Sequence, residues 1–502
     1  MKINWQRDVS YLVALGITAL IVILGIAAPE QFASGTNAVF GFLTDNFSWF
    51  YLISMFIFVV FSLGLALSRY GSIKLGADDA KPEYSTFTWF TMMFIAGMGI
   101  GLVFWGVAEP LNHFVSFGMD EAAANDAMRV SFMHWGFHPW SGYAVIGMAL
   151  AYFQFRKKAP GLISSIFLPI LGEKGVRGPI GKTIDVLAIF ATVGGVATSL
   201  GSGTLQINAG LNHLFGIPQG TLPIIVIVAI MAAVYIWSAV SGINKGIKIL
   251  SNVNMWLALG LMVCALVVGP VLVIVNIFTN TTGAYLSSFV RESFAINPFG
   301  DNSWLGGWTV FYWAWWVSWA PFVGTFIARI SKGRTIREFV LTVILAPSAF
   351  SMIWFSIFGG LGLNLDNSII QTAIETTETA LFVVFSQYPL GFLMSIVTVV
   401  LLLIFFITSA DSAIYVLSMF SSEGSLDPSN SKKVIWGIIQ AMLALVLLVT
   451  GGLGALQTIS IVAAFPFAIV MLFSCYCMYK ALTGERGSPY LPPPKTVPQK
   501  DD

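Results

Sequence analysis

Long apolar runs recur from one end of this chain to the other, separated by short polar stretches. The first covers Tyr11 to Ala28; others lie near 47–68, 88–108, 131–153, 183–213, 221–240, 249–278, 305–328, 339–363, 390–420, 433–452 and 456–480. A helix needs about 20 mostly apolar residues to cross a bilayer, so this pattern predicts roughly twelve spans. The first run follows Lys2 and Arg7 and has the outline of a signal peptide. Its ~18 residues, with so many spans behind it, predict an uncleaved first helix instead. Two stretches, Gly161–Ile180 and Gly283–Phe299, are amphipathic and too interrupted to cross, so they are expected to lie on the two membrane surfaces.

Charge between the runs sets the expected orientation. Basic residues follow the even-numbered spans: Arg69, Lys74 and Lys81; Arg156, Lys157, Lys158, Lys174, Arg177 and Lys182; Lys245 and Lys248; Arg329, Lys332, Arg334 and Arg337; Lys432 before span eleven; Lys480 and Arg486 after span twelve. The odd-numbered gaps are acidic or nearly neutral, with Glu109, Asp120, Glu121 and Asp126 in one and Asp366, Glu375 and Glu378 in another. Basic loops stay in the cytoplasm, so both termini are expected there, in a multi-pass protein of a bacterial-type inner membrane.

Composition agrees. Of 502 residues, 57% are hydrophobic and 10% charged, with a mean hydropathy of +0.82. That combination belongs to helical membrane proteins rather than soluble domains. A net charge of +1 gives no pull toward nucleic acid. Cys264, Cys475 and Cys477 sit in apolar runs and offer neither a disulfide framework nor a zinc site. With four histidines and no nucleophile–base pair at membrane depth, an enzyme is not expected.

Four segments carry chemistry. In the eighth span, Trp308, Tyr312, Trp315, Trp319, Phe322 and Phe326 share one helical face, with Trp316 beside it. An interfacial belt would sit at headgroup level, whereas this stripe runs the length of the span. Packing and a cage for a quaternary ammonium group remain open, because ring faces attract a cation that has no N–H to donate. Span four adds Trp135, Trp140 and Tyr143 around Pro139, whose expected kink prevents a simple wheel assignment. His134 and His138, one turn apart, read as hydrogen-bonded structural residues rather than metal ligands. Span three contains Gly97, Gly99 and Gly101 at alternate positions, suited to a close helix crossing or to a broken helix whose backbone binds a ligand. Span ten contains Thr408, Ser409, Asp411 and Ser412, suited equally to a small hard cation or to capping a broken helix.

Gly97-Met98-Gly99-Ile100-Gly101 with Trp105-Gly106-Val107-Ala108-Glu109-Pro110, Trp135-Gly136-Phe137-His138-Pro139-Trp140, and Trp313 to Gly324 continuing to Glu338 resemble the betaine/carnitine/choline transporter family. The resemblance covers all twelve predicted spans. It implies an all-α polytopic membrane protein with inverted repeats of five helices, the fold of amino-acid symporters. The expected organisation is a cytoplasmic N-terminus (1–10), two additional spans (11–68), a first repeat (88–278), an amphipathic connector (283–300), a second repeat (305–480) and a disordered tail (485–502). The family also implies a homotrimer.

Carried onto this chain, the resemblance places the trimethylammonium group in a box of Trp135, Trp140, Tyr143 and Trp316, with Trp315 and Trp319 along the route. Backbone amides of Gly97, Met98, Gly99 and Gly101 would approach the substrate carboxylate. Family members that take up choline tend to carry Asp where this chain has Gly101, so glycine betaine, an osmoprotectant, is the favoured substrate. Sodium is the expected coupling ion, and no other cofactor is implied. One sodium site would use Ile95, Met98, Thr408 and Ser409; a second would use Thr192 and Phe322, but Val196 stands where a second threonine is expected. A sodium-independent carnitine or betaine exchanger, an importer of choline or dimethylsulfoniopropionate, and a betaine-binding receptor are the alternatives.

Overall fold

A computed structural model describes residues 8–97, 99–241 and 244–485, without side-chain detail at 91, 94–97 and 244–248. All regular structure there is helical, apart from one isolated bridge between Lys74 and Thr335. In chain order the helices are α1 (Val9–Ala27), α2 (Pro29–Leu67), α3 (Thr86–Gly97), α4 (Ile100–Phe117), α5 (Glu121–Trp135), α6 (Phe137–Ala151), α7 (Leu168–Arg177), α8 (Pro179–Phe215) and α9 (Thr221–Ser241). They continue with α10 (Asn244–Val268), α11 (Val271–Ser293), the turn α12 (Ser303–Leu305), α13 (Phe311–Ile330), α14 (Ile336–Leu363), α15 (Asn367–Ile374), α16 (Ala380–Ser386), α17 (Gly391–Phe420) and α18 (Asn430–Thr483). Eight are long and apolar enough to cross a membrane. At 1.5 Å per residue, the 54-residue α18 is far longer than one crossing, and it bends at Gly452, where φ is 56°. The polytopic all-α fold is therefore as expected.

The expected spans three and four each fall on a pair of helices. Between α3 and α4 the chain passes through Gly99 in extended conformation, which interrupts the helix. Between α5 and α6 the break falls at Gly136, three residues before the proline expected to kink span four. Pro139 sits in the first turn of α6, where its missing N–H costs nothing. Gly136 is needed at the break because a Cβ there would lie 2.5 Å from the Phe132 carbonyl oxygen and 2.6 Å from the Tyr285 hydroxyl. That hydroxyl accepts the freed Phe137 amide at 2.9 Å, so the helix end is capped from α11.

The seventh run departs from expectation. The span expected over 249–278 ends at Val268, and the connector expected over 283–300 begins at Val271. Pro270 lacks an N–H and pushes Gly269 out of helical geometry, so the apolar run divides there. The inner-surface segment at 161–180 is matched by a short turn of helix and α7, neither long enough to span. Of the expected tail, only Glu485 lies within the described residues, and residues 1–7 of the N-terminus lie outside them.

α13 occupies the middle of the bundle, packed against α6, α8 and α18. The basic loops gather at one end. There the Leu75 amide bonds the Arg334 carbonyl at 2.8 Å, Arg156 reaches Gly76 and Asp78, and Lys433 reaches the Ala239 carbonyl at 3.2 Å.

Candidate functional site

The aromatic residues of spans four and eight meet. Trp135, at the last turn of α5, stands nearly perpendicular to Trp316 on α13, with centroids 5.1 Å apart at 84°. Tyr143 on α6 is 5.4 Å from Trp316, and Trp140 is 5.4 Å from Tyr143 and 6.0 Å from Trp316. Trp135, Tyr143 and Trp316 line a cavity of about 250 Å³, while Trp140 stands behind them. Gly99 and Gly101 form its wall at the helix break, and Trp315, Trp319 and Phe322 continue it along α13. The indole N–H groups of this wall are tied down: Trp316 to the His134 carbonyl at 3.0 Å, Trp319 to the Gly195 carbonyl at 2.9 Å, and Trp315 to Ser199 at 3.3 Å. The rings therefore present fixed faces to the cavity.

The cavity runs in one direction. Val323 and Phe326 on α13, Ser251 and Met255 on α10, and Ser412 on α17 line it beyond the box, each nearer the basic-loop end of its helix. On the other side it is shut by aromatic rings packed edge to face. Trp105 lies 5.5 Å from Trp308 and 5.9 Å from Tyr312, and His113 lies 4.4 Å from Trp308. The face drawn along span eight thus divides its work: Trp308 and Tyr312 close the box, while Trp315, Trp319, Phe322 and Phe326 line the open part.

Of the residues expected to hold sodium, Thr408, Ser409 and Phe322 reach the cavity wall. Thr192 is buried within α8, its hydroxyl donating to the Ala188 carbonyl at 2.9 Å, and it is not on that wall; Val196 is also buried. Met98 lies outside the described residues, and Ile95 and Gly97 are described only as part of α3. α17 is unbroken through Thr408–Ser412, so these hydroxyls cap no helix end. The Thr408 hydroxyl donates to the Ile404 carbonyl at 2.9 Å, leaving its oxygen lone pairs for the cavity.

Glu109 is a correction. The sequence places it in the acidic gap after the span at 88–108, but α4 continues to Phe117 and Glu109 is 0% exposed. One carboxyl oxygen accepts the Trp135 indole N–H at 2.7 Å and the Tyr312 hydroxyl. The other lies 2.7 Å from His134 Nδ1 and 3.3 Å from His113 Nε2. Ligand atoms of Glu109, His113 and His134 fall within 4.8 Å of one another, yet both His134 nitrogens are already engaged, Nε2 with Thr309 at 2.9 Å. His138 turns away to Ser293 at 2.8 Å. Both histidines of span four are hydrogen-bonded, His134 to a carboxyl group on another helix and His138 to the Ser293 hydroxyl.

With this geometry in view, the family can be tested directly. The model of the BCCT, betaine/carnitine/choline family transporter, matches residues 9–487. The chain belongs to the BCCT family. It is 47% identical to a probable glycine betaine transporter of Desulfitobacterium hafniense, covering 97% of this chain and 99% of that protein. It is 50% identical to the glycine betaine transporter OpuD of Bacillus subtilis, covering 94% of each. A similar extent, 94% of this chain and 95% of the relative, aligns at 43% identity with an ectoine/hydroxyectoine transporter of Virgibacillus pantothenticus. As a BCCT member, the chain is a multi-pass transport protein and not an enzyme. Ser199 on α8 and Ser251, Asn254 and Met255 on α10 also line the BCCT cavity but were not singled out from sequence. For Ser199, Ser251 and Asn254 the available signal was a polar residue within an otherwise apolar run.

Proposed function

We propose that this BCCT protein imports a zwitterionic quaternary ammonium compound, glycine betaine, by sodium symport and alternating access. The observation that carries the reading is one cavity lined both by Trp135, Tyr143 and Trp316 and by the broken-helix residues Gly99 and Gly101. Three ring faces suit a trimethylammonium group, and backbone amides at a helix break suit a carboxylate. The names of two relatives, a probable glycine betaine transporter at 47% identity and a glycine betaine transporter at 50%, support the same substrate.

Thr408 and Ser409, with backbone carbonyls of Ile95 and Met98, are the proposed sodium ligands; Phe322 with Thr192 is the weaker proposal for a second ion. The basic-loop end is the proposed cytoplasmic side of an inner membrane, with both termini there. On that assignment the cavity opens inward, and the Trp105–Trp308–Tyr312 cluster is the closed outer gate. Twelve crossings follow if each broken pair counts as one and α18 as two, arranged as two five-helix repeats and assembled as a homotrimer.

Binding to the purified protein, read by tryptophan fluorescence, tests the box. Glycine betaine should bind at least about 10-fold more tightly than tert-butylacetate, the isostere with carbon in place of nitrogen, because only the former offers a cation to the rings. Equal affinities would remove the cage from the account.

A further inference from the structure

Glu109 contacts the back of the box rather than the cavity, and the proposed transport reaction leaves it without a role. Its carboxyl group joins three helices: it belongs to α4, takes Trp135 and His134 from α5, and takes Tyr312 from α13. We infer that Glu109 is a positioning residue for the cation box, fixing the Trp135 ring and thereby setting substrate affinity. The inference rests on the reading of these rings as the trimethylammonium site.

A tryptophan has one polar atom, so the single hydrogen bond it makes decides how its ring is turned. For Trp135 that bond is to Glu109, at 2.7 Å. For Trp316 it is to the backbone carbonyl of His134, which the last turn of α5 holds. Only Trp135, of the two, depends on the buried carboxyl group. Trp140, which stands behind the wall, has a buried indole N–H without a partner among the described residues.

The residue is also poorly explained as packing alone. A carboxyl group at 0% exposure is costly to bury, and a leucine of similar volume would avoid that cost. Two acceptor oxygens facing donors on two sides do what no apolar residue can: they lock a ring from α5 and a hydroxyl from α13 into one geometry. A carboxamide keeps one acceptor oxygen for Trp135 and Tyr312, while its NH2 can face His134 in the other tautomer. Glu109→Gln should therefore retain the positioning, whereas Glu109→Leu and the shorter Glu109→Asp should lose it.

The test is glycine betaine affinity, by tryptophan fluorescence, of the full chain carrying E109Q, E109D, E109L, W135F and W135F with E109L. E109L should weaken binding about 10-fold or more, E109Q should recover most of that loss, and E109L should add less than about two-fold on the W135F background. Where E109L does not fold, E109D carries the same expectation of a large loss. Wild-type affinity in folded E109L or E109D, or losses that multiply fully in the double variant, would overturn the inference. Absence of betaine binding by the wild-type protein would instead overturn the box itself, and the inference with it.

Discussion

A Cβ placed on Gly101 would lie 2.3 Å from Cη2 of Trp315 and 3.2 Å from Cη2 of Trp135. The helix break and the aromatic wall are thus in van der Waals contact, and only glycine lets them meet. A substrate carboxylate at the break and a cation at the rings would be held by neighbours, as a compact zwitterion requires.

Substitution at this position should therefore do two separable things. Gly101→Ala should push Trp315 aside and weaken all ligands. Gly101→Asp should impose the same displacement but add a charge that repels a carboxylate and compensates a bare cation, shifting preference from glycine betaine toward choline. Competition of each compound against labelled betaine measures the shift. Unchanged selectivity in Gly101→Asp would count against a carboxylate at the break.

Trp316 forms one full wall of the box and meets Trp135, Trp140 and Tyr143. Replacing it with leucine should remove a cation–π interaction of about 1–2 kcal/mol and weaken betaine binding about 10-fold. Titration of the purified variant checks this, and wild-type affinity would mean that the cation sits elsewhere.

Alanine at both Thr408 and Ser409 should leave betaine binding measurable but make it indifferent to sodium. The comparison is binding with and without sodium at constant ionic strength. Retained activation by sodium in the double variant would exclude these hydroxyls as the coupling site.

At the basic-loop end, outside the spans, Glu485 accepts from Arg156 at 2.9 Å, from Tyr152 and from Lys157 at 2.8 Å. Burial raises its pKa, but the hydrogen bonds from Arg156, Lys157 and Tyr152 outweigh that and hold it at about 2, below the ordinary 4.5. A depressed carboxyl pKa contributes stability above about pH 4.5, and this contribution is lost as pH falls toward 2. Glu485→Gln should lower Tm at neutral pH and show a shallower decline on acidification. Parallel Tm–pH curves for the two proteins would contradict the assignment.

The crossings were legible because each must present about 20 apolar residues, and their positions follow that run length. Boundaries set by single residues were less so: Pro270 divides an apolar run that hydropathy alone reads as continuous, and α4 runs on past the end of its apolar run to Phe117. The aromatics of the box could be named from sequence, but their convergence is a tertiary fact, since Trp135 and Trp316 come from helices far apart in the chain. Glu109 was misplaced because a carboxyl group at the end of an apolar run looks like a loop charge until its partners, Trp135, Tyr312 and His134, are seen around it. Ser199 and Asn254 were not picked out for a similar reason: other polar residues lie beside them, and only the packing of α8 and α10 decides which face the cavity.

The most direct test of the account is uptake of labelled glycine betaine into proteoliposomes containing the purified protein, with and without an inward sodium gradient. Accumulation above the external concentration only when the gradient is present is the predicted result. Uptake that ignores sodium and requires betaine or carnitine inside the vesicles would make the protein an exchanger and contradict sodium symport through Thr408 and Ser409.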